Sequence, residues 1–352
     1  VSKRVLVTGG AGFAGFHICE GLLHSTDWEV IVLDRLTYSG TLERLRDTFR
    51  DFPTRISFVY HDFRAAFPSP VLHKLEGIDY VIHNGGETHV ERSLQDPLPF
   101  VEANVLGTTH VLNACRVLGA AHVIYVSTDE VHGPAPNGVS FKEDAPIRPS
   151  NPYSGSKAGG EAIAFAYGHS MGLPVTITRT MNLVGEKQHP EKFVPMCIRR
   201  IQRGETVTIH GINQRLIAGG HHVVIGSRKW LHARNQADAL LFLLEWERRA
   251  ERHQQMMPLA ISRSLAGETF HIAGEEHTNL EIAQIIAETL GKPLQYEIVD
   301  IHSTRKGHDL RYSLDDSKLR SLGWSPPVPF RESLERTVQW TIAPEHTMWL
   351  QE

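Results

Sequence analysis

Short apolar runs recur through the first half of the chain, and each stops at a glycine, an acid or a turn. They read "RVLVTGGAGFAG", "EVIVLDRLTYSG", "RISFVYHDF", "DYVIHNGGETHV", "HVIYVSTDEVHG" and "PVTITRTMNLVG". Helix-patterned segments lie between them, among them Phe13–Leu23 and Asn104–Leu118. Short apolar strands alternating with helices predict parallel pairing and a doubly wound α/β sheet. "GETFHIAG" (267–274) is expected to add a late strand to that sheet.

After about Arg179 the pattern changes. "EKFVPMCIRRIQRG" and "LEIAQIIAETLG" read as amphipathic helices, the second stopped by Gly291, and "SLDDSKLRSLGWSP" has the same form. This part reads as a smaller α/β lobe, not cleanly separable, because Leu240–Glu247 and Gly267–Gly274 are expected to return to the first domain. Functional residues should gather beyond the carboxyl ends of the parallel strands.

The composition is that of an ordinary soluble globular chain: 352 residues, 41% hydrophobic, 22% charged. A net charge of -4 supplies no bulk basic field for nucleic acid or an anionic membrane. No apolar run reaches membrane-spanning length, and a strand begins almost at residue 1, leaving no room for a signal peptide. The three cysteines (Cys19, Cys115 and Cys197) lie far apart, which fits a reducing cytoplasm and neither a disulfide framework nor a zinc ribbon. The 21 histidines are scattered without HExxH, and no metal site is expected, the pair His221-His222 reading as an exposed loop.

Three stretches carry chemistry. In "TGGAGFAG", Gly9, Gly12 and Gly15 follow a strand and open a helix, as a pyrophosphate requires: a tight turn, close backbone approach and a helix N-terminus. Asp34 ends the next strand roughly 20 residues on, where a carboxylate takes both ribose hydroxyls, so NAD is expected over NADP. Arg35 beside it is the residue type that holds a 2′-phosphate, and Asp62-Phe63 falls where adenine would lie. In "NPYSGSK", Asn151 suits an N-cap and Pro152 the first helical position. Tyr153 and Lys157 then share a helix face, the ammonium lowering the phenol pKa. In "VSTDE", Asp129 and Glu130 share one site only if the strand ends near Thr128 and the chain turns; otherwise they are a solvated loop.

With these motifs the chain resembles the extended short-chain dehydrogenase/reductase superfamily, and within it the nucleotide-sugar 4,6-dehydratases. "GETHVERS" (86–93), "GEKQHPEKFVP" (185–195) and "RKGHDLRYSLDDSKLRSLGW" (305–324) extend the resemblance over nearly the whole chain. It implies a Rossmann domain over 1–178, with returns near 235–250 and 267–274, and a lobe over 179–352 that mainly binds the nucleotide sugar. It implies an NAD-dependent hydro-lyase acting on dTDP-glucose or a related NDP-hexose. There Tyr153 would take the 4-OH proton with Lys157 beside it, Glu130 would remove the C5 proton and Asp129 would protonate the leaving 6-OH. NAD would lie against Gly9, Gly12, Phe13, Ala14 and Gly15, then Asp34, Arg35, Thr37, Asp62 and Phe63. Its nicotinamide end would meet Asn84, Gly85, Gly86 and Ser127. The sugar nucleotide would meet Thr88, Thr128, Asn182, Glu191, Lys192, Phe193, Arg228, Arg305 and His308. Related members dimerise through helices after the third and fourth strands, so a homodimer is implied. A sugar-nucleotide epimerase or decarboxylase sharing the tyrosine and NAD is the alternative, with a non-catalytic nucleotide sensor behind it.

The chain departs from that family at four places. His132 stands where tyrosine is usual, and Gly85-Gly86 where Ala-Ala is usual. "WLHARNQADA" lacks the usual acids, and "INQRLIAGGHHVVIGS" (212–227) replaces a short turn. The last is expected to form a hairpin with "AGG" as its turn and to shape nucleotide selection.

Overall fold

The computed structural model describes residues 2–215, 221–246, 264–301 and 309–351. In chain order the strands are β1 (Arg4–Thr8), β2 (Glu29–Asp34), β3 (Ile56–Tyr60), β4 (Tyr80–His83), β5 (His122–Thr128), β6 (Val175–Thr180) and β7 (Asn182–Val184). They continue as β8 (Val207–Arg215), β9 (His221–Ile225), β10 (Ser227–His232), β11 (Thr269–Ile272), β12 (Glu275–Thr278), β13 (Tyr296–Asp300) and β14 (Arg311–Tyr312). Seven of them form one parallel sheet in the order β11-β6-β5-β4-β1-β2-β3.

The apolar runs are unbroken because both faces of this sheet are covered. Val5, Val7, Val30 and Val32 join one core with the helices Phe13–Ser25 and Ala233–Leu244. Leu6, Ile31, Leu33 and Val123 join the other, against Val111, Leu112 and Cys115 of Thr108–Leu118 and Ala164 and Tyr167 of Pro152–Met171. The Rossmann-type architecture predicted from the alternation is therefore present, with Thr269–Ile272 as its late edge strand. A third core, including Trp230, Ile282, Ile286 and Leu334, belongs to the smaller lobe. There β10 pairs with β12, β14 and β7, while β13-β8-β9 forms a separate small sheet.

Local signals hold where they are local. Asn151 caps Pro152–Met171 through a reciprocal box with Ser154, and Gly291 closes Asn279–Leu290 at φ +63. The helix expected to start at Asn104 begins earlier: Leu98–Val101 runs through a π-helical turn, Glu102–Gly107, into Thr108–Leu118. Pro97 and Pro99 sit at its start, where no intrahelical donor is needed. In 212–227, β8 and β9 pair antiparallel as a hairpin, while its "AGG" turn lies outside the described residues.

β6 is tied to the helix Pro152–Met171 by a buried pair: Arg179 donates to both Glu161 oxygens, Nε to Oε1 at 3.1 Å and Nη2 to Oε2 at 2.8 Å. Removing one member leaves a buried charge unpaired, so Glu161→Ala is expected to destabilise the fold by about 3–5 kcal/mol. Denaturant unfolding checks this; a loss below about 1 kcal/mol would mean that the pair is solvated like a surface bridge.

Candidate active site

The strand ends of the main sheet open into a cleft of about 700 Å³ between the two lobes. Its floor is the turn after β1. Gly9 takes φ +66, and a Cβ there would lie 2.6 Å from the Cα of Gly85. Gly15 does not line the cleft; a Cβ on it would strike the Gly9 carbonyl, so this glycine lets the helix pack against the turn. Gly12, Phe13 and Ala14 face the cleft, and no side chain caps the helix at Gly12. This cradle, which a Cβ would fill at Gly9, suits a pyrophosphate at a helix N-terminus.

Asp34 closes the cradle. Its carboxylate accepts from the backbone N–H of Leu36 (2.8 Å) and Ala11 (3.1 Å), which leaves further lone pairs for ribose hydroxyls. Burial raises its pKa, and these backbone donors oppose the rise. Arg35 is taken: Nη2 donates to Glu87 Oε1 at 2.5 Å and Nη1 to Asp62 Oδ2 at 3.3 Å. Its charge is thus met by two carboxylates that would repel a 2′-phosphate, which favours NAD. Thr37 and Phe63 line the wall, whereas Asp62 is off it, held by Arg64 as well. Asn84, Gly85 and Gly86 line the next strand end. Cβ atoms on the last two would meet the Phe63 ring at 2.7 Å and Asn104 Oδ1 at 2.6 Å, a local reason for Gly85-Gly86 in this chain.

β5 ends at Thr128, and Asp129–His132 form a 3-10 turn, so the two acids do reach one site. Thr128 Oγ1 donates to Asp129 Oδ1 (3.0 Å) and accepts from Glu130 N (3.3 Å). Asp129 Oδ2 is buried without a hydrogen-bond partner. Burial first, and then the neighbouring Glu130 charge, pushes Asp129 up to about 7. Burial also raises Glu130, but a hydrogen bond from Asn151 Nδ2 (3.1 Å) and the Arg228 charge oppose this. The two acids therefore stand in different surroundings: Glu130 accepts a hydrogen bond from Asn151, whereas Asp129 keeps a buried oxygen without a partner.

Tyr153 lies beside this pair on the helix that Asn151 caps. The expected lowering of its pKa by Lys157 is not found. Burial and the Glu130 charge raise the phenol, opposed by hydrogen bonds with Thr128 and Thr88. Lys157 Nζ instead donates to the Val126 carbonyl at 2.7 Å, and burial brings its pKa down to about 8. Ser127, with its buried hydroxyl unpartnered, also faces the cleft.

On the opposite wall stand Asn182 on β7, Glu191, Lys192 and Phe193 at the start of Phe193–Arg203, and Arg228 on β10. The Arg228 guanidinium lies 4.7 Å from the Tyr312 ring and donates to the carbonyls of Ser227 and Leu310. Arg305 and His308 lie outside the described residues. Sequence reading missed Tyr38, His89, His189, Gln236 and Tyr312, all on the cleft. All five sit within strings already singled out, but only the three-dimensional path shows which way they face. His132 is not on the cleft: Nε2 lies 3.1 Å from Arg179 Nη1, and Nδ1 3.1 Å from the Pro146 carbonyl. That departure is a packing change behind the acids and does not touch the sugar-nucleotide side.

A glycine cradle, a ribose acid and a Tyr–Lys helix at the strand ends define a dinucleotide-dependent enzyme of the extended short-chain dehydrogenase/reductase kind. Comparison with known proteins agrees: residues 5–257 match the NAD dependent epimerase/dehydratase family, and the chain belongs to that family. A dTDP-glucose 4,6-dehydratase of an Actinoplanes species is 35% identical over 96% of this chain and 97% of its own. The dTDP-glucose 4,6-dehydratase of Streptomyces venezuelae, solved with NAD, superposes with a TM-score of 0.81 at 36% identity, covering 99% of each chain. The UDP-glucose 4-epimerase of Thermus thermophilus, also solved with NAD, gives 0.76 at 29% identity over 96% of this chain and 98% of that one. No helix among the described residues is long and apolar enough to cross a membrane.

Proposed function

We propose that the protein is an NAD-dependent nucleotide-sugar 4,6-dehydratase acting on dTDP-glucose or a related NDP-hexose. The observation that carries this reading is the Asp129–Glu130 pair on one turn, with an unpartnered oxygen on Asp129 and a hydrogen bond from Asn151 on Glu130. Elimination of water across C5 and C6 needs both at adjacent carbons. Epimerisation at C4 needs neither, which places the epimerase reading second.

NAD, held by the glycine turn, Asp34 and the strand-end loops, supplies a hydride acceptor and donor and a positive ring charge. Tyr153, held by the hydroxyls of Thr128 and Thr88, takes the proton of the 4-OH in its ionised form. The positive charge of a bound nicotinamide would favour that form against the surrounding burial and the Glu130 charge. Lys157 keeps a buried cation on the same helix. The 4-ketone acidifies the C5 proton, which Glu130 removes. Asp129, whose Oδ2 is unpartnered, is the proton donor to the departing 6-OH, so one water leaves, and Glu130 returns its proton to C5 when C6 is reduced. Arg228 and Lys192 offer charge to the diphosphate and Asn182 a polar contact to the sugar. Residues 1–178 carry the cofactor and 179–352 mainly the nucleotide sugar, with the β8–β9 hairpin bearing on nucleotide choice through the adjoining Arg228 strand.

We place the enzyme in the cytoplasm, as a homodimer. Leu98 (61% exposed), Val101 (48%) and Phe165 (57%) support a dimer face on the helices after β4 and β5. The helix after β3, Ser69–Lys74, has no buried residue and offers less. Incubation with a panel of nucleotide hexoses, followed by the alkaline absorbance of a 4-keto-6-deoxy product, tests the reading; C4-epimer without that product would make the chain an epimerase.

Asp34→Ala should weaken NAD binding about 10- to 100-fold, the loss of hydrogen bonds to an ionised acceptor. Calorimetric titration of the cofactor-free protein checks it. Unchanged affinity, or tighter binding of NADP by the unmodified protein, would reverse the cofactor assignment.

A further inference from the structure

Asn151 meets two demands with one amide. Its Oδ1 accepts from Ser154 N at 2.9 Å, and its own N–H donates to Ser154 Oγ at 3.2 Å, closing the cap of the helix that carries Tyr153 and Lys157. At the other end of the same group, Nδ2 donates to Glu130 Oε2 at 3.1 Å. The residue is 7% exposed.

The two contacts are not independent. A backbone N–H can only donate, so Ser154 fixes which end of the amide is oxygen. The NH₂ end is thereby turned to Glu130, and it satisfies a carboxylate that accepts. The Asp129 carboxyl has no such donor on Oδ2. The helix cap thus dictates the orientation of the amide, and that orientation distinguishes the two neighbouring acids.

Other charges face Glu130 from every side. Asp129 adjoins it on the turn, and Tyr153 faces it from the capped helix. Arg228 on β10 and Lys192 before Phe193–Arg203 favour its ionised form; Asp309 opposes it. Tyr312 on β14 feels its charge. Arg228 acts through space, since its hydrogen bonds go to the backbone carbonyls of Ser227, Asp309 and Leu310. Among the described residues, the side-chain hydrogen bond that reaches the Glu130 carboxylate comes from Asn151.

We infer that Asn151 is a positioning residue for elimination: one amide couples the helix bearing Tyr153 and Lys157 to the Glu130 carboxylate and selects Glu130, not Asp129, as the base. This rests on the dehydratase reading of the site.

Asn151→Ser and Asn151→Asp test it, because serine and aspartate cap helices about as well as asparagine, so both variants should fold. Their thermal stability should match the parent's at acid pH, where Glu130 is protonated in all, and fall below it at neutral pH as the higher midpoint requires. Serine cannot reach Glu130, and aspartate turns an oxygen toward it. The ionisation of Glu130 is followed by ¹³C NMR on glutamate-labelled protein without substrate, its resonance identified by its loss in Glu130→Gln. In Asn151→Ser the midpoint should rise by about one pH unit, the effect of losing a hydrogen bond to a charged group. In Asn151→Asp it should rise further. With dTDP-glucose, the acidic limb of kcat should move up with the midpoint, about tenfold of turnover being lost per pH unit below it. KM should stay near its original value, and turnover should recover at higher pH. An unmoved Glu130 midpoint in folded variants, or an unmoved acidic limb, would reduce Asn151 to a helix cap. Failure of the dehydratase reading shows separately: the unmodified protein would form no 4-keto-6-deoxy sugar, whatever the titration does.

Discussion

Glu130→Gln should still oxidise C4 but should not exchange the C5 hydrogen with solvent deuterium. An amide cannot take the proton, and in the variant Asp129 keeps the burial that is the larger cause of its raised pKa, though not the Glu130 charge that is the second. A general acid or base is worth on the order of 10²–10⁴ in rate, so the loss is large against any binding effect. Asp129→Asn completes the pair. Its amide donates poorly, so loss of the 6-OH should slow by a similar factor while C5 exchange persists. The pH dependence has a definite sign. Asp129 acts protonated, so elimination should decline as pH rises through about 7. Glu130 acts ionised, so the rate should also decline on the acidic side. The check is single-turnover formation of the 4-keto sugar with mass-resolved deuterium at C5. Exchange in Glu130→Gln at the parent rate would return the acid pair to a structural turn.

Tyr153→Phe should stop the sequence one step earlier. The phenol is buried and is held by Thr128 and Thr88 beside the acids, and the substitution removes only its oxygen. The ring–ring contact with Phe100, at 6.4 Å between centroids, should survive. No group then takes the 4-OH proton, so turnover should drop by about 10²–10⁴, with neither 4-keto product nor C5 exchange. This separates it from Glu130→Gln, which keeps the first oxidation. Burial and the Glu130 charge hold the phenol above its ordinary value, and Lys157 does not offset this from its place at the Val126 carbonyl. Oxidation should therefore be faster at higher pH than elimination permits, and Tyr153→Phe should remove that part of the profile. Substantial C5 exchange in Tyr153→Phe would assign the first proton transfer elsewhere.

Much of this protein was legible without coordinates because the signals are local. Short β-branched apolar runs between glycine turns, too short for helices, carry a strand signal in their own length and flanks. Gly9 and Gly15 answer a backbone angle and a close approach, both set within a few residues. Asp34 follows from strand-end geometry, and the Asn151-Pro152 start and the Gly291 stop follow from capping. The turn at Thr128 that brings Asp129 and Glu130 together was one of two readings the sequence left open, and Gly133-Pro134 just beyond is a local turn signal in its favour. The tertiary structure decided what depends on partners distant in sequence. Arg35 looked free to hold a phosphate until Asp62 and Glu87 closed on it. Lys157 turned to a carbonyl of another strand and not to the tyrosine one turn away. His132, a departure from the family pattern by sequence, proved to pack on Arg179, 47 residues on. Asn151 was a helix cap by sequence, and only the fold set its NH₂ against Glu130, 21 residues earlier. Periodicity and propensity describe a residue's relation to its near neighbours. Hydrogen bonds between buried groups depend on which strands and loops the fold brings side by side, and in a doubly wound sheet those neighbours are not consecutive.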